Sequence, residues 1–173
     1  MIRIIGPGAG FEELNDFVAD VAEAGCDVLV VNALRKDEKV GIDDLQDVLF
    51  DQVCVEELVD CFAHIATISP ELRDGSRIIF LVPGAFLGGV GCTHLATSAA
   101  MLVGLARSLA LEFAERGISV NCLAPGQDAK LDAIKGEIAF LLEEEAADVT
   151  GQVILIDRGE NLSLRKAGRR VVS

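Results

Sequence analysis

Few side chains in this 173-residue sequence have the type and spacing to do chemistry. His94 opens the stretch HLATSAAM and is one of two histidines. An imidazole titrates near neutrality and suits general acid or base work. No Lys or Ser acceptor is placed to help it, so the plainer reading is a helix-start residue with no proton to move. Cys26, Cys54, Cys61, Cys92 and Cys122 occur singly, in apolar surroundings and without a CxxC spacing. That pattern gives no metal site and reads as thiols used as small core residues. The turn GPGAG, Gly6 to Gly10, is the one candidate phosphate loop. It lacks the third glycine of GxGxxG, and the carboxylates of Glu12 and Glu13 would oppose a phosphate at the helix start. A tight strand-to-helix turn explains the same glycines. The basic residues Arg165, Lys166, Arg169 and Arg170 close the chain. They read as a solvated tail, with phosphate contact through guanidinium forks as the rival.

These residues need a frame. Ile2 to Ile5, Asp27 to Val31, Arg77 to Val82, Ile118 to Leu123 and Gln152 to Ile156 are short runs rich in branched apolar residues. Continuous rather than alternating hydrophobicity suits strands covered on both faces, hence a parallel sheet between helical layers. Between the runs the period is helical. Phe11, Leu14, Phe17, Val18 and Val21 share one face, with Gly25 placed to end that helix. Residues from about Ile42 to Ala66 hold a second helical region with Val55, Leu58, Val59 and Phe62 as its stripe. His94 to Glu115 forms a third, closed by Gly117, and Leu131 to Glu145 a short fourth. Alternating strands and helices predict an α/β doubly wound fold of about five strands. One domain is expected over residues 1 to 162, followed by the basic tail over 163 to 173.

The formal charge of −13 opposes nucleic acid or an anionic membrane as a general partner. Scattered, unpaired cysteines and no basic-then-apolar leader fit a soluble cytoplasmic protein, and no apolar run is read as a bilayer span.

Four stretches, in order, resemble the short-chain dehydrogenase/reductase family. SAAMLVGLARSLALEFAERGISVNCLAPG (Ser98 to Gly126) is similar to its long helix and following strand. CDVLVVNAL (Cys26 to Leu34) resembles the strand ending in Asn-Asn-Ala-Gly, GSRIIFLVPG (Gly75 to Gly84) the strand ending at the active-site Ser, and TGQVILIDRG (Thr150 to Gly159) the final strand. The resemblance implies a Rossmann-like sheet. It matches Ile2 to Ile5 with the family's third strand, so the first two strand-helix units, which carry dinucleotide binding, are expected to be missing.

The active-site positions that the resemblance implies are all changed. His94 and Ser98 stand where the family has Tyr and Lys, and Pro83, or Val82 one register away, stands where it has Ser. Val31, Asn32, Ala33 and Leu34 replace Asn-Asn-Ala-Gly, and Cys54 lies near the helical Asn. The family's Tyr moves a proton at the substrate oxygen, its phenol tuned from a pKa near 10 by the adjacent ammonium. This sequence contains no Tyr at all. The expectation is a chain with no catalytic residues, binding no cofactor and no metal. It would pair with an active short-chain dehydrogenase subunit, in a heterodimer or heterotetramer, that holds NAD or NADP. Family members pair through their long helices, which makes Leu58, Phe62, Leu102, Leu105 and Leu109 the interface candidates. Arg165, Lys166, Arg169 and Arg170 would contact the partner's substrate. The alternative is a homo-oligomeric scaffold or ligand-binding module.

Overall fold

Branched apolar runs become strands here, and for the three central ones helices cover both faces. The computed structural model describes residues 1–6, 12–21, 27–35 and 39–160. Its strands are β1 (Ile2–Ile5), β2 (Val28–Asn32), β3 (Arg77–Leu81), β4 (Ser119–Pro125) and β5 (Val153–Ile156). Every residue of the three central strands is buried, whereas β1 and β5 are only partly covered. All four pairings are parallel, in the order β1-β2-β3-β4-β5. The expected five-stranded, Rossmann-like parallel sheet is therefore present.

The helices are α1 (Glu12–Val21), α2 (Asp47–Asp51), α3 (Glu57–Ile68), α4 (Thr93–Glu112) and α5 (Leu131–Leu142). A π-helical turn, Gln52–Glu56, joins α2 to α3. One face of the sheet (Leu29, Val31, Ile78, Phe80, Val120, Cys122) packs on α3 and α4. The other (Val28, Val30, Ile79, Leu81, Leu123) packs on α1 and α5.

That division has a consequence for handedness. The strands step across the sheet in one direction, yet two connecting helices lie on each face. Two crossovers must then be of the left-handed kind that parallel units almost never adopt. The order also corrects the match of β1 with the family's third strand. In the common 3-2-1-4-5-6 order the fourth strand lies beside the first. β1 pairs with β2, the strand similar to the fourth, and so takes the first strand's place. Side-chain pattern cannot distinguish these choices, because both strands are short and apolar.

Three further expectations change. In the second helical region Cys61, Ile65 and Ile68 are buried, while Val55, Val59 and Phe62 are 51%, 56% and 56% exposed. The helix is apolar on two faces, and the sheet took the other one. Leu102 and Leu109 lie in the core against the sheet, and Leu105 packs partly on the same core, so Leu102 and Leu109 are not interface residues. α4 is also long and apolar enough, by length and composition, to cross a membrane, contrary to the sequence reading. Nine of its 20 residues are buried within the fold, as befits a core helix.

Polar anchors fix the lower edge of the sheet. Asp27, 2% exposed, accepts hydrogen bonds from the Arg73 backbone N–H and guanidinium, both at 2.9 Å, and pairs with the amino group of Met1. Arg116 donates to the carbonyls of Ser69 and Leu72 and to Asp74, tying the end of α3 to the turn before β4. Gly117, at φ +63°, closes that turn as expected.

Candidate functional site

Parallel sheets place reactive groups at the carboxyl ends of their strands, in crevices where neighbouring connections leave toward opposite faces. Two such places exist here, above β1 and β2 and above β3 and β4, since α1 and α3 diverge, as do α4 and α5. At each, a glycine approaches the neighbouring strand's backbone closely. A Cβ on Gly6, whose φ is +113°, would sit 2.3 Å from the Asn32 carbonyl oxygen, and one on Gly84 would sit 2.9 Å from that of Pro125. A third glycine, Gly126, lies as tightly on Asp157. At these strand ends the absence of a Cβ lets strand approach strand. The remainder of the candidate phosphate loop, Pro7 to Gly10, lies outside the described residues.

The residues expected at the family's motif positions fall on this rim. Asn32 is 2% exposed, and its Oδ1 accepts the Leu34 N–H at 3.1 Å, shaping the turn that leaves β2. Arg35 continues that turn and ion-pairs with Glu57 on α3. Val82 is fully buried, its N–H bonded to the Leu123 carbonyl at 2.9 Å, and Pro83 is half-buried at the start of a short 3-10 turn, Gly84–Leu87. His94 and Ser98 lie one turn apart on α4, 0% and 9% exposed. Neither ring nitrogen of His94 has a hydrogen-bond partner among the described residues.

Sequence reasoning missed what lies beside His94. The Cys54 thiol sits in the π turn and donates to the His94 carbonyl at 3.3 Å, joining α4 to the widened turn. π turns often mark functional sites within helices, and Cys54 is near the position expected for the family's helical Asn. Burial pushes its thiol pKa up. Cys61 is shifted the same way, and Cys122, deep in β4, is pushed up to about 12. Thiols so shifted are neutral and poorly nucleophilic at physiological pH. Among the described residues no three His, Cys, Asp or Glu side chains gather as metal ligands.

An open groove of about 590 Å³ lies on the outer side of α4 rather than above the strands. Phe86 and Leu87 form one wall and Ala96, Ala100 and Met101 the other. Below it the helix presents exposed Ala100, Gly104 and Leu111, the last 82% exposed. Of the five interface candidates, Phe62 is exposed, Leu58 and Leu105 are partly buried, and Leu102 and Leu109 face inward. Arg165, Lys166, Arg169 and Arg170 lie outside the described residues.

Comparison with known proteins places this arrangement. Residues 10–131 match the family model described as enoyl-(acyl carrier protein) reductase. One relative, the (2S)-[(R)-hydroxy(phenyl)methyl]succinyl-CoA dehydrogenase subunit BbsD of Thauera aromatica, is 32% identical over 111 residues. The match covers 50% of this chain and 45% of that one. Nodulation protein G of Rhizobium meliloti is 30% identical over 164 residues, covering 78% of this chain and 66% of the relative. A short-chain dehydrogenase/reductase structure from Serratia marcescens superposes with a TM-score of 0.67 at 26% identity, over 76% of this chain and 64% of that one. The chain thus spans about half to two thirds of the length of the relatives it matches. With the family model matched over residues 10–131 and the same fold in a solved member, the chain belongs to the short-chain dehydrogenase/reductase family.

Proposed function

We propose that this chain is a non-catalytic subunit of a hetero-oligomeric NAD(P)-dependent short-chain alcohol dehydrogenase, whose chemistry is run by an intact partner. The observation that carries this reading is that the chain has no Tyr, and His94 is sealed at the start of α4 where the family's proton donor is expected. A buried imidazole cannot reach a substrate oxygen, Pro83 has no hydroxyl at the family's Ser position, and Ser98 has no ammonium at its Lys position.

The partner part of the reading is supported by exposed apolar side chains on the outer sides of the α3 and α4 region, Val55, Val59 and Phe62 at one place and Leu111 near the end of α4. Apolar surface of that kind marks association sites. The relative BbsD is itself named as a dehydrogenase subunit for a CoA thioester. A pairing like that of the heteromeric alcohol dehydrogenase of anaerobic toluene degradation, on a hydroxyacyl-CoA type substrate, is the form we favour. The NAD or NADP would be held by the partner, in the cytoplasm.

Co-expression with an intact short-chain dehydrogenase from the neighbouring reading frame tests the proposal. Co-purification at fixed stoichiometry is expected, with alcohol oxidation lost when the partner's Tyr is replaced and retained in the His94→Leu complex. Alcohol oxidation by the lone chain would overturn it. A defined homo-oligomer that ignores the dehydrogenase would favour the scaffold alternative.

A further inference from the structure

No further inference is drawn: the strongest candidate, the open apolar groove between the Gly84–Leu87 turn and the first two turns of α4, runs into the face already given to the partner subunit, and nothing in the structure shows what else would cover it.

Discussion

An imidazole sealed from solvent with neither nitrogen hydrogen-bonded, as His94 is among the described residues, gives up about 1–3 kcal/mol relative to an apolar side chain of similar size. His94→Leu should therefore stabilise the fold by about 1 kcal/mol, read as a higher urea midpoint at unchanged slope. A lowered midpoint would mean that the ring nitrogens have partners. Asp27 is the opposite case. The Arg73 guanidinium, and next the amino group of Met1, hold its carboxyl well below the usual carboxylate range despite burial. The unfolded chain accepts that proton near pH 4 and the folded chain resists it. The stabilisation is complete above that pH and is lost as the pH falls toward the folded value. Asp27→Asn should cost about 2–4 kcal/mol at pH 7. It should also flatten the acid limb of the stability curve below about pH 4, which denaturant titration at several pH values would detect.

Helix α4 shows why an apolar helix does not reveal its own orientation. Leu102 and Leu111 look alike in sequence, yet one is 2% and the other 82% exposed. Leu102→Ala should destabilise the fold by about 2–5 kcal/mol through the cavity it leaves. Leu111→Glu should change stability by no more than about 0.5 kcal/mol. If the outer face meets the dehydrogenase partner, the same substitution should abolish co-purification, because a charge buried there would lack a counter-ion. Wild-type recovery of the complex with Leu111→Glu would remove this part of α4 from the interface. The strand ends are equally position-specific. Gly6→Ala would force a Cβ onto the Asn32 carbonyl at a positive φ, so a loss of at least 1 kcal/mol is expected in thermal or chemical unfolding.

For the molecule as a unit, the sheet keeps the family's central strands but has two crossovers of the uncommon hand, with β1 in the place beside β2. Among the described residues one short strand-helix unit, β1 and α1, precedes β2. Calorimetric titration of the lone chain with NAD or NADP should show no saturable binding tighter than about 100 μM, about −5.5 kcal/mol. Tighter binding would contradict the division of labour proposed for the complex. Removal of the residues after Leu164 tests the basic tail in that complex. If Arg165, Lys166, Arg169 and Arg170 meet a phosphate-bearing substrate, KM rises at low ionic strength while kcat holds. An unchanged KM would assign the tail no such contact.

Much of this was legible without coordinates. Continuous branched runs gave all five strands to within a few residues, because strands covered on both faces are apolar at most positions, and the partly covered edge strands β1 and β5 keep the same pattern. The lack of Tyr was visible for a simpler reason, since no fold can supply a side chain the sequence does not encode. The π turn under Cys54 was not legible, because one extra residue in a helical turn leaves the local apolar spacing nearly intact. The outward faces of α3 and α4 were hidden for a related reason. Periodicity identifies an apolar face but cannot say, when a helix has two, which of them the sheet will take. Strand order and crossover hand belong wholly to the tertiary structure. They depend on contacts between runs far apart in the chain, such as Ile2 with Val28 and Gly84 with Pro125, whose side chains or backbones carry no mark of which neighbour they will meet.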